Sequence, residues 1–142
     1  KKAKEIFSTI LALMGEGGYL KLDKEPDVYH EFVAEKYLDE FNCSIGKGYC
    51  ISLAHYFEIN GDLAQDPEVM FFVMDERTDE DRNINKLNVY PMAFQQALPP
   101  KYEEFLKVDK GVTLVAPKAM RSCCSFVNGW LLNVIDQQSI EI

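Results

Sequence analysis

Residues 55–71, HYFEINGDLAQDPEVMF, bring together the side chains whose types could do chemistry: His55, Glu58, Asn60, Asp62, Asp66 and Glu68. Imidazole and carboxylates suit a divalent cation, so this stretch is the place to look for a metal. The spacing argues for caution. On a strand His55 and Glu58 point to opposite faces. The pattern is not H-E-x-x-H, which needs a helix to bring two histidines together. His55 shares its face with Leu53 and Phe57 and is expected to be a hydrogen-bonded core histidine. Asp62 and Asp66 are of the type that ties loop backbone through side-chain bonds. Glu58 and Glu68 are the one carboxylate pair this hairpin could form, and acid/base work would require a raised pKa on one of them. These six residues are the candidate functional or structural cluster. No catalytic residue is assigned, and no cofactor is expected.

Other arrangements fail on spacing. Gly46-Lys47-Gly48 lacks the length and the hydroxyl residue of a phosphate loop. The serines occur in no G-x-S-x-G turn. Cys43, Cys50, Cys123 and Cys124 form no C-x-x-C pair. They are expected to be buried, reduced thiols in a cytoplasmic protein, a Cys43–Cys50 bridge across the intervening turn being conceivable but unsupported. Asp75, Glu76, Asp79, Glu80 and Asp81 are not a calcium loop, because the Gly of the sharp turn is missing. That segment is expected to be a solvated loop.

These side chains must be positioned by a small domain. The chain has 142 residues, 23 acidic and 15 basic side chains and a net charge of −8. Such a surface repels phosphate backbones on average, so direct nucleic-acid binding is not expected. No stretch approaches the ~20 apolar residues of a membrane span. Lys1, Lys2 and Lys4 before Ile6–Met14 imitate a signal peptide, but Glu5 interrupts it and Gly15-Glu16-Gly17-Gly18 is a poor cleavage region. With no initiating Met, residues are expected to precede Lys1. Residues 1–142 are expected to be a single domain, or a fragment of a longer chain.

Apolar residues at helical spacing predict helices over 3–14 and 117–137, the first stopped by Gly15, the second opened by Pro117. Alternation predicts strands over 19–23, 49–59, 68–74, 87–94 and 112–116, with Pro91 marking an edge or a bulge. The connection after Asn60-Gly61 is expected to be longer than a minimal turn, with Pro67 opening the next strand. Residues 28–41 carry both signals. Tyr29, Val33, Tyr37 and Phe41 lie on one i, i+4 line, and helix is expected there despite the β-favouring composition. A short helix is expected over 101–108. The predicted fold is α+β, an antiparallel sheet of about four to five strands with an N-terminal and a C-terminal helix packed on one face.

His55-Tyr56-Phe57-Glu58, Asn60-Gly61-Asp62, Asp66-Pro67-Glu68 and Phe71, followed by Tyr90-Pro91, resemble a small uncharacterised domain family. The resemblance covers residues 55–71 and the later Tyr-Pro. It implies a setting in bacterial plasmids, phages and conjugative elements, including those of gut Bacteroides, and it assigns no catalytic residue. Two functions are expected from different classes. The first is a noncatalytic protein-interaction module of a mobile element, with a protein partner. The second is a metal-dependent enzyme, hydrolytic in kind, that uses carboxylates of the 55–68 hairpin.

Overall fold

A computed structural model of the protein describes residues 2–24, 30–59, 61–97, 100–109 and 112–141, and leaves undescribed the side chains of 2, 57–59, 62–66, 109 and 112. Helix α1 (Lys2–Met14) is followed by strands β1 (Tyr19–Leu22), β2 (Glu31–Cys43), β3 (Gly46–Ile59), β4 (Asp62–Asp75) and β5 (Leu87–Gln96). Then come β6 (Lys101–Glu104), β7 (Leu106–Asp109), β8 (Val112–Val115) and helix α2 (Pro117–Gln137). Strands β1 to β6 form one sheet in chain order, antiparallel throughout, and β7 with β8 forms a separate hairpin. The class is therefore the α+β expected, with more strands among the described residues than the four or five foreseen.

One face of the sheet is dry because alternate residues of its long strands are large and apolar. Phe32 and Ala34 of β2 stand opposite His55 and Leu53 of β3; Ile51 and Leu53 stand opposite Phe71 and Val69 of β4. Both helices cover this inner face. Phe7 of α1 meets Phe71 edge-on with centroids 4.8 Å apart, and Trp130 of α2 meets Phe32 at 6.1 Å. Ile6, Ile10, Val127, Leu131 and Val134 complete the core. Each such side chain contributes roughly 1.5–3 kcal/mol through its burial. The end of α2 is pinned by Gln138, which is buried. Its Nε2 donates to the His30 carbonyl at 3.1 Å, and its Oε1 accepts from the Lys24 N–H at 3.2 Å.

Four local expectations are corrected. Residues 31–43 are strand, not helix. The register shifts on either side of Leu38 each add one residue to β2. Those bulges break the two-residue alternation and leave a spacing that imitates a helix. Residues 101–109 are two strands, not a helix. Phe105 lies between them, its N–H donating to Met92 O and its carbonyl accepting from Ala116 N–H, each at 2.7 Å. This bend buries Phe105 and Leu106 side by side, which reads as helical spacing. The connection after Ile59 is tight, since Ile59 pairs with Asp62 and Gly61 takes φ +86°. Pro67 lies within β4, where three steps from Gln65 to Glu68 face two from Tyr56 to Ala54. A bulge is one of the few sheet positions that tolerates the missing N–H of proline. Pro91 likewise adjoins a bulge, as expected.

The acidic 75–85 segment is better anchored than a solvated loop. Arg77, its side chain 4% exposed, holds Asp75 through two bonds of 2.8 Å and donates to Ser8 Oγ of α1 at 2.6 Å. A short 3-10 turn, Ile84–Lys86, leads into β5.

Candidate functional site

Strands β3 and β4 carry five of the six candidate residues, and the sheet distributes them. His55 lies on the inner face, 7% exposed, under Trp130. Trp130 Nε1–H donates to His55 Nδ1 at 3.1 Å. An imidazole whose Nδ1 accepts must carry its proton on Nε2. That Nε2 is buried with no hydrogen-bond partner among the described residues. Burial, reinforced by the nearby His30, pushes the His55 pKa down to about 4. Rings of His30, Phe32 and Trp130 surround it at centroid distances of 6.5, 5.6 and 5.5 Å. This is the core histidine expected, neutral at ordinary pH, with its one acceptor nitrogen occupied.

Glu68 lies on the other face. Ser52 Oγ donates to its Oε2 at 2.6 Å. Backbone register sets Glu68 opposite Ala54 and Glu58 opposite Leu63. The two glutamates are four residues apart along the ladder, roughly 13 Å at the usual strand rise, so the register does not set them directly across from each other. Glu58, Asp62 and Asp66 hold their backbone places in β3 and β4, with side chains outside the described set, and Asn60 lies outside the described residues altogether. Among the described residues no group of three His, Cys, Asp or Glu side chains could hold a metal ion.

The outer face holds polar and aromatic groups that sequence reasoning did not single out. Tyr37, on the outer face by alternation after Lys36, influences the Cys50 thiol, and Cys50 Sγ lies 3.5 Å from Met92 Sδ. Burial raises the Tyr37 hydroxyl well above the usual phenol range and lifts Cys50 to about 11, the Tyr37 hydroxyl opposing the latter. Cys50 is thus an inert buried thiol, and all four cysteines are free. Phe41 packs edge-on against Phe72, which stacks on Tyr90. The Tyr102 hydroxyl of β6 is raised first by burial and then by the charge of Glu104.

The charge of Glu68 adds to the rise at both Tyr37 and Tyr102, and Tyr102 adds to the rise at Tyr37. The β7–β8 hairpin closes one end, where Ser44 N–H donates to Thr113 Oγ1 at 2.9 Å. Between the hairpin and β6 runs a groove of about 330 Å³, lined by Tyr102, Glu104, Leu106, Lys107, Leu114 and Val115. The spacing signal that could have found this surface is hidden in the sequence by the β2 bulges and the bend at Phe105.

No helix among the described residues is long and apolar enough to cross a membrane. No curated protein and no solved structure matches the chain. The model of a family described as a domain of unknown function, DUF6908, matches residues 2–140, and the chain belongs to that family.

Proposed function

We propose that the chain is a noncatalytic protein-binding module whose outer sheet face and β7–β8 hairpin receive a partner protein. One observation carries this reading. Tyr37, Leu38, Tyr102, Val108, Leu114 and Val115 are large, apolar or aromatic, and exposed, and they gather on that face and hairpin. Exposed apolar surface of this kind is held at a cost to solubility and marks contact sites, and tyrosine is enriched in them. The six-residue cluster of the β3–β4 hairpin then serves the fold through His55 and the outer face through Glu68. The resemblance of residues 55–71 to domains of plasmids, phages and conjugative elements supports a mobile-element setting. Four free cysteines support a cytoplasmic one.

The test compares what wild-type protein and two variants capture from a lysate of its own host. Tyr102→Ser with Leu114→Ser should lose a partner that wild type retains, while Leu132→Ser on α2 keeps it. Equal capture by all three would refute the reading. The metal-dependent alternative has Glu68 as its one carboxylate with a described side chain, bonded by Ser52 on the outer face. Saturable binding of Mn²⁺ in calorimetry, lost in Glu68→Gln, would replace the binding-module reading with it.

A further inference from the structure

We propose that the cavity between α1, α2 and β5 binds a small amphipathic carboxylate, an aliphatic or aromatic body with a single anionic head. The cavity has a volume of about 210 Å³. Its walls are apolar: Phe7 from α1, Val127 and Leu131 from α2, with Val89 of β5 beneath. An apolar cavity of about 150 Å³ is enough to hold benzene, and this one also opens to solvent on one side. This one takes a body of somewhat greater size.

The polar groups of the lining select the head. Lys4 supplies the only charge, and Asn128 supplies an amide. Among the described residues no carboxylate pairs with Lys4, which is half-buried, although the chain carries 23 acidic residues; Asn128 is exposed. Glu5, next in sequence, is outside the lining. A cation and an N–H donor beside an apolar hollow complement a carboxylate. A cationic head would be repelled, and a neutral one would leave the ammonium uncompensated. Cys124 also lines the cavity, so its thiol reports occupancy.

The experiment titrates the whole chain with hexanoate, hexanol and hexylammonium, followed by amide-resolved NMR. Hexanoate should saturate, with shifts centred on residues 3–7, 89–91 and 124–131, and should slow alkylation of Cys124. Losing the ion pair, by using hexanol or Lys4→Gln, should weaken binding about fivefold. Val127→Phe, which fills the cavity, should abolish binding; Val89→Phe does the same from the sheet side should the first variant fail to fold. Absence of saturable hexanoate binding would overturn the proposal. So would equal affinity for all three compounds, or unchanged binding in a folded, filled variant.

Discussion

Trp130 donates to His55 Nδ1, and this one bond decides where His55 can carry a proton. Protonating the ring would set two donors face to face in a buried site. With its pKa lowered from 6.5 to about 4, the folded state resists a proton that the unfolded chain takes up readily. The unfolded state therefore binds more protons between those values. Stability is unaffected by His55 above pH 6.5 and is lost as pH falls from there through 4, by about 3 kcal/mol in full. Carboxylates also titrate in the lower part of that window, so the measurement is a difference. Urea unfolding from about pH 7.5 down to about pH 4.5 should show a shallower decline in His55→Phe than in wild type. Parallel curves would refute the assignment. Arg77 invites a second test. Its guanidinium joins Asp75 to Ser8, and Arg77→Ala should cost about 1–3 kcal/mol, because hydrogen bonds to charged groups are among the stronger ones. A change under about 0.5 kcal/mol, the range of ordinary surface substitutions, would mean the loop does not hold α1.

Between elements, close approach rather than propensity sets the register of β3. A Cβ at Gly48 would collide with the Val73 carbonyl oxygen and with the Phe72 ring, both on β4. Gly48→Ala should therefore destabilise by about 1–3 kcal/mol, as overpacking does. Gly17→Ala, with open space at its Cβ, should leave the melting temperature nearly unchanged. Equal melts would show that the strands adjust freely. The same elements show what could be read beforehand. The two helices were legible because Ile6, Ile10, Val127 and Leu131 repeat with the period of the face they bury. Strand β3 was legible because its large apolar residues alternate cleanly with smaller ones, which also put His55 in the core. Strand β2 was not, since its bulges insert residues into the alternation. Nor were β6 and β7, where the bend at Phe105 turns adjacent side chains inward. The partner of His55 lies 75 residues away on α2, and no local pattern announces such a contact.

For the molecule as a whole, the two faces of the sheet carry different burdens. The inner face and both helices share one continuous core, in which Phe7, Phe71, Leu131 and Trp130 belong to a single cluster. No part of that core can open without exposing the rest. The outer face is closed only in part, by the β7–β8 hairpin and by the small contact set around Cys50, Phe72 and Met92. Its exposed tyrosines and aliphatic side chains can change without disturbing the core, which is what a surface free to suit a partner requires. This division has a thermodynamic consequence. Trp130, the one tryptophan, reports the packing of α2 on the inner face, while far-UV circular dichroism reports sheet and helices together. A single core predicts coincident transitions in urea by both probes. Tyr102→Ser with Leu114→Ser should leave that midpoint within the small range of surface substitutions, about 0.5 kcal/mol. Should α2 melt before the sheet, the inner face would be divisible and its helix a detachable cover. Should the outer-face pair lower the midpoint strongly, those side chains would belong to the fold, and the binding surface would have to be sought elsewhere.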